Sequence, residues 1–245
     1  MKDILVIGDS CLDIFVYCDA NRLCPDVPVP VLNYCYQTEN PGMAKNVQRN
    51  IESLGISCDI VTNSNWHEMK KVRYVHKDSN HYFFRLDSEP SIEKIDINNI
   101  NLDYKMIVIS DYNKGFLSEE DIENICLSHD CVFIDTKKVI DSWIDGAKII
   151  KINNKEYNAS KNYIDKKLRD KVVRTMGASG AEYKSIIYPV IKSEVRDVSG
   201  AGDSFMAGLC FKFLKTEDII DSIKFANQCA SEVVKFRGVT TIKEL

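Results

Sequence analysis

Asp197-Val198-Ser199-Gly200-Ala201-Gly202-Asp203, followed by the apolar run 204–214, is a small-residue turn that leads straight into a helix. Such residues let backbone N–H groups crowd around an anion at a helix N-terminus, where unpaired donors and the positive end of the helix dipole converge. Asp203 lies in the same turn. A carboxylate there repels an anion, but it is well placed to take a proton from a hydroxyl that attacks one. The pattern points to phosphoryl transfer to an alcohol. A helix start also uses glycine and an acidic first turn for stability alone, so this stretch by itself leaves both readings open.

Outward from this turn, short β-branched or apolar runs alternate with helical patterns. The runs cover residues 4–7, 106–109, 132–134, 149–152 and 172–174. One helix opens at Ser118 with Glu119, Glu120 and Asp121 in its first turn. Another carries Ala44, Val47, Ile51 and Leu54 and closes at Gly55, and a last one runs from Ile219 through Val234. This alternation predicts an α/β fold with a mainly parallel central sheet flanked by helices on both faces. Residues 27–36 and 72–86 break it. They read as extended strands, the first too rich in proline for a central sheet, and predict a small β-lid over about 14–38 and 71–88. An exposed apolar flap covers a substrate or pairs with a second copy of itself.

The 245 residues are 44% hydrophobic, enough for one sizeable core, and a single domain over 1–245 is expected. A net charge of −4 without a basic block leaves no footprint for nucleic acid or an acidic membrane. The first strand follows within three residues of the start and no apolar run reaches the length of a membrane span, so a cytoplasmic location is expected. Nine cysteines at irregular spacings form no C-x-x-C pair, and the four histidines give no matching cluster. Idle or buried thiols are expected.

The remaining polar motifs fall at strand ends, where open α/β sheets bind ligands. Asp9 and Asp13 follow the first strand and suit sugar hydroxyls, or a cap or turn. Gly42 and Asn46 begin a helix, with one amide for a polyol. Lys114, after the run at 106–109, offers a point charge for phosphate or is a solvated loop lysine. Asn153 and Glu156 suit a hydrated magnesium ion on nucleotide phosphates, although a capped helix start looks the same. Thr175, Gly177 and Gly180 sit in a small-residue turn over which an adenine and ribose could lie.

Taken in order, these pieces resemble the ribokinase-like carbohydrate kinases, the PfkB family, from Asp3 to the last helix. Residues 197–208, Asp-Val-Ser-Gly-Ala-Gly-Asp-Ser-Phe-Met-Ala-Gly, follow that family's C-terminal signature. Within it, residues 21–31, Arg85-Leu86-Asp87, residues 110–115 and Ile134-Asp135-Thr136-Lys137 are similar to the heptose-7-phosphate kinases. The resemblance implies ATP and Mg2+ as cofactors, and transfer to the anomeric hydroxyl of a heptose 7-phosphate. It implies Asp203 as catalytic base and the backbone of Gly200, Ala201 and Gly202 as anion hole. Asp13, Gly42 and Asn46 match sugar-contacting positions, and Thr175, Gly177, Gly180 and Asn227 fall where the nucleotide lies. Asn153 and Glu156 match a motif that organises magnesium and phosphate, Glu156 acting through water. Arg85, Lys114, Arg22 and Lys45 are cations for a phosphorylated sugar. A homodimer through the lid is implied, with a small-molecule partner and neither nucleic acid nor membrane. The family's Gly-Gly is Gly42-Met43 here, and the segments 61–70 and 156–171 are short. A catalytically idle binding protein, or a kinase of a hexose phosphate or nucleoside, are the competing readings.

Overall fold

The structure is a computed structural model and describes residues 2–79, 81–191 and 194–242. In chain order, β1 (Lys2–Gly8), β2 (Ser10–Asp19) and β3 (Asn33–Met43) precede α1 (Ala44–Ser53) and β4 (Cys58–Val61). Next come β5 (Lys70–His76), β6 (Tyr82–Ser88), β7 (Tyr104–Asp111), α2 (Glu119–Ser128), β8 (Val132–Thr136) and β9 (Ile149–Asn153). The chain continues through α3 (Asn154–Ser160), α4 (Lys166–Arg169), β10 (Val172–Thr175), β11 (Ala181–Tyr183), β12 (Ile186–Tyr188), α5 (Ala201–Thr216) and α6 (Ile219–Val233).

Eight strands form one sheet in the order β12-β11-β10-β9-β8-β7-β1-β4. All neighbours from β10 to β4 are parallel, and β11 and β12 turn back antiparallel at one edge. The apolar runs are strands because both their faces are covered. Ile4, Val6, Met106 and Val108 pack with α1, α5 and α6, while Leu5, Ile7, Ile107 and Ile109 pack with α2 on the other side. Two buried clusters, one on each face of the sheet, are the core.

The second sheet, β3-β2-β5-β6, is the lid. It starts directly at Ser10, after β1, and returns to the body at Met43, before α1. The lid strands therefore begin before residue 14 and extend beyond residue 38. Residues 27–30 are not a strand, contrary to the sequence reading. Pro28 and Pro30 offer no N–H, so the segment folds on itself through Val29 N–H to Val27 O and Cys24 N–H to Val29 O, and pairs only through a Leu23–Pro30 bridge. Strand pairing sets the lid's faces. Asp13 lies opposite Lys71, and Arg73 opposite Arg85, so Asp13, Lys71, Arg73, Arg85 and Asp87 share one face with Phe15. Phe15 packs on Val239 next to the body.

Candidate active site

At the start of α5, Gly200 adopts φ 80°, a left-handed conformation that lets the chain turn into the helix with its amides leading. Asp203 is in the first turn and only 4% exposed. Its Oδ2 accepts from Asn46 Nδ2 at 2.8 Å and its Oδ1 from the Tyr112 hydroxyl at 2.6 Å. Burial raises its pKa above the usual carboxylate value, and these two donors oppose the rise. The Asn46 amide is itself held. Asn50 donates to the Asn46 Oδ1 at 3.1 Å and accepts from Ser204 Oγ at 3.1 Å and from the Ile242 N–H at 3.0 Å, so Nδ2 of Asn46 is the end left for Asp203.

A chain of alternating charges runs past the same turn. Lys151, in the middle of β9, is 2% exposed, and its ammonium lies 3.1 Å from where a side chain on Gly202 would begin. It pairs with Asp135 at 2.6 Å; Asp135 pairs with Lys137 at 3.2 Å, and Lys137 with Glu156 at 2.7 Å. Burial alone would raise the Asp135 pKa, but Lys137 and Lys151 override it and hold the carboxyl ionised below its usual value. Lys137 Nζ also lies 5.1 Å from the Tyr112 ring centre, and Lys71 Nζ from the lid lies 5.0 Å from it.

Asn153 and Glu156 form a reciprocal cap on α3: Asn153 Oδ1 accepts from the Lys155 and Glu156 N–H groups, while Glu156 Oε2 accepts from the Asn153 N–H at 2.7 Å. Glu156 Oε1 takes both Asn153 Nδ2 and Lys137. Among the described residues no group of three or more His, Cys, Asp or Glu could hold a metal ion.

Several expected residues take other places. Asp9 is fully buried, and its carboxylate accepts from the backbone N–H groups of Tyr112 (2.7 Å), Phe116 (3.3 Å) and Lys114 (3.4 Å), so it shapes the loop after β7 instead of facing a sugar. Lys114 is paired with Glu89, which neutralises the charge expected for phosphate. Asp13 and Gly42 do meet. A side chain on Gly42 would begin 2.1 Å from Asp13 Oδ2, and Asp13 is also paired with Arg73. Arg85 shares that lid face, bridged to Asp87 at 2.8 Å. Lys45 lies 4.8 Å from the Trp66 ring centre. Lys71, Arg73, Tyr112, Asp135, Lys137 and Lys151 were not singled out by sequence reasoning as site residues in this geometry. The available signals were Lys151 within an Ile-Ile-Lys-Ile run and the alternation of Lys71 with Arg73.

Further along the strand ends, Thr175 closes β10 with its hydroxyl on Ile152 O at 3.4 Å, and the turn from Gly177 ends at Gly180 (φ 92°) against Tyr188 O. Asn227 Nδ2 donates to that same Tyr188 carbonyl at 2.8 Å. Beside it opens a cavity of about 820 Å³ between residues 188–191, the α6 side chains Lys224, Asn227 and Gln228, and Lys235 just after the helix. The cavity's size is typical of small-molecule sites. Thr175, Gly177 and Gly180 do not line it; Gly180 lies against Tyr188, Pro189 and Val190, which do.

A family model described as pfkB family carbohydrate kinase matches residues 119–244. The bifunctional protein HldE of Campylobacter curvus is 27% identical, over 98% of this chain and 63% of that protein. The HldE of Vibrio parahaemolyticus is 26% identical, over 99% and 62%. The chain thus spans less than two thirds of the length of these curated relatives. Among solved structures, the ribokinase of Thermotoga maritima matches with a TM-score of 0.72 at 16% identity, over 98% of this chain and 95% of that one. The nucleoside kinase of Methanocaldococcus jannaschii matches with 0.72 at 18%, over 99% and 95%. These likenesses give the chain the ribokinase-like α/β fold expected from its sequence. With more than half of its residues inside the matched model, the chain belongs to the pfkB family of carbohydrate kinases.

Proposed function

We propose that this protein transfers the γ-phosphoryl group of ATP to the anomeric hydroxyl of a heptose 7-phosphate, giving the 1,7-bisphosphate. Asp203 is the general base. The backbone N–H groups of residues 200–202 and the Lys151 ammonium stabilise charge on the transferred group. The observation that carries this reading is the Asp203 Oδ1 itself, which accepts an O–H at 2.6 Å at the N-terminus of α5, the geometry a base needs toward an attacking alcohol. Asp13 and Asn46 orient the sugar, with Gly42 leaving room for it beside Asp13. Lys71, Arg73 and Arg85 on the same lid face suit an acceptor that already bears phosphate. The cavity at Asn227 takes the adenosine, with Thr175, Gly177 and Gly180 behind it. Asn153 and Glu156 are the residues that would face the water shell of a magnesium ion, which would supply neutralisation of the ATP phosphate charge.

The heptose acceptor rests on the sequence resemblance of residues 21–31, 85–87, 110–115 and 134–137 to the heptose-7-phosphate kinases. The whole chain is read as one cytoplasmic kinase domain, and no helix among the described residues is long and apolar enough to cross a membrane. Tyr34, Tyr36, Phe84 and Leu86 are exposed on the lid, and pairing of two lids would cover them in a homodimer. Asp203→Asn removes the base while keeping the shape. Turnover of heptose 7-phosphate should fall by roughly a hundredfold or more with ATP binding retained. Unchanged turnover in that variant would remove Asp203 from the mechanism, and ATP consumption by the wild type on a hexose phosphate but not a heptose phosphate would replace the acceptor.

A further inference from the structure

Resting on the reading of Asp203 as the base, we propose that the Tyr112 hydroxyl occupies the acceptor's place on that carboxylate, and that the sugar hydroxyl displaces it. A base must lie within roughly 2.6–3.2 Å of the hydroxyl it deprotonates. The O–H group found at that range is Tyr112's, 2.6 Å from Oδ1. With Asp203 only 4% exposed, an incoming hydroxyl reaches it when a neighbour moves aside. Asn46 is fixed within α1 by Asn50, which bonds both its backbone carbonyl and its side-chain oxygen. In the proposed exchange Tyr112 is the neighbour that moves. It is half-buried and stands on a loop whose next residues include Asn113 at φ 55° and Gly115 at φ 102°.

Its ring is also tied to the groups an anionic sugar would attract. Lys71 from the lid and Lys137 beyond β8 lie 5.0 and 5.1 Å from the ring centre, Lys137 being paired with Asp135 and Glu156 as well. A phosphorylated acceptor draws these lysines to itself, which loosens the ring as the sugar hydroxyl arrives. The exchange places the acceptor O–H on Asp203 Oδ1. Its oxygen then bonds the γ-phosphorus while its proton passes to the carboxylate. The bond from that phosphorus to the bridging oxygen breaks, and ADP leaves with the electron pair. Until the exchange, the phenol keeps water off the base, so Tyr112 is a positioning residue that suppresses transfer to water.

Tyr112→Phe deletes the hydroxyl and keeps the ring beside its two lysines. In the full-length chain, ATP hydrolysis without sugar should rise about three- to tenfold, and KM for heptose 7-phosphate should fall by a similar factor, exceeding any change in kcat, as expected from one competing hydrogen bond. A variant with unchanged sugar-free hydrolysis, or with lower kcat at unchanged KM, would overturn the proposal and leave Tyr112 a support for the carboxylate. The hydrolysis reading needs no acceptor, so a wrong choice of sugar leaves it intact. Asp203→Asn measured alongside separates the two ideas. Turnover surviving in that variant defeats the base assignment, whereas its loss combined with a silent Tyr112→Phe defeats the exchange alone.

Discussion

The Asp203 end and the Asn227 end of the sheet's edge are built differently. At the Asp203 end both carboxylate oxygens already hold donors, the charges of Lys151, Asp135, Lys137 and Glu156 are paired in series, and the turn is packed. At the Asn227 end a cavity of about 820 Å³ stands open, lined by residues 188–191, by α6 side chains and by the partly exposed Lys235–Glu232 pair at the helix's end. The first end is organised in advance of its ligand and must exchange a partner to bind one. The second is shaped in advance and needs no exchange. On the proposed function this division is physically sensible, because charge would develop at the first end and only binding would be required at the second.

Substitutions of one lysine at each end should show the largest difference in stability. Lys151→Met leaves Asp135 buried with one partner fewer, and loss of a partner from a buried pair costs about 3–5 kcal/mol of stability. Lys235→Ala at the open end removes an exposed pair worth roughly 0–1 kcal/mol. Thermal or urea unfolding of the two variants should therefore differ by several fold in ΔΔG. Equal values would mean that water reaches Lys151 and that the closed end is not closed.

A smaller effect is expected at Asn227, whose amide ties α6 to the Tyr188 carbonyl on the cavity wall. Asn227→Leu removes one hydrogen bond, typically worth about 0.5–1.5 kcal/mol, so KM for ATP should rise by a factor of roughly 2 to 12. Its kcat should stay near the wild-type value, the reverse of Asp203→Asn. A fall in kcat without a change in KM for ATP would move the nucleotide away from this cavity.

The body of the fold was legible because apolar strand runs and amphipathic helices carry their own periodicity. The runs at 4–7, 106–109, 132–134, 149–152 and 172–174 all lie inside strands of the large sheet. Strands β4, β11 and β12 were not, having three or four residues each and little pattern to read. The turn at Asp203 was legible from its small residues. Its surroundings were not, since Lys151 and Asp135 gain meaning only when neighbouring strands set them side by side. Asp9 and Asp13 looked like a matched pair in sequence. Four residues of extended chain span roughly 13 Å, however, and the two carboxylates serve different places, one a loop and the other the lid.

Met43 is where sequence and structure meet most sharply. It stands in place of the second glycine of the family pattern, and its backbone adopts φ 61° and ψ −129°. A side chain there is strained by about 1–3 kcal/mol. The side chain is nevertheless buried beside Cys11 and Met69, which offsets part of that strain. Met43→Ala keeps the strain and loses the packing, while Met43→Gly loses the packing and relieves the strain. The glycine variant should thus be the more stable of the two by about 1 kcal/mol, against the usual penalty for glycine in folded chains. An alanine variant at least as stable would mean that the hinge between lid and α1 relaxes at no cost.

The subtlest difference is in proton affinity. Asp203 accepts a proton only when ionised, so kcat/KM should fall as pH drops through its pKa, which burial lifts above the usual carboxylate value. Asn46 and Tyr112 donate to the ionised form and Lys151 attracts it, whereas Asp135 repels it. Tyr112→Phe deletes one of the stabilising donors, and the acidic limb of kcat/KM should move to higher pH. The same sign governs folding. The folded chain holds this proton more tightly than the unfolded one, so Asp203 favours folding below its unfolded pKa, and that contribution is lost as pH rises through the folded value. A limb that moves to lower pH in Tyr112→Phe would mean that the phenol disfavours the carboxylate. That outcome would reverse the electrostatic description of the closed end and leave the open end untouched.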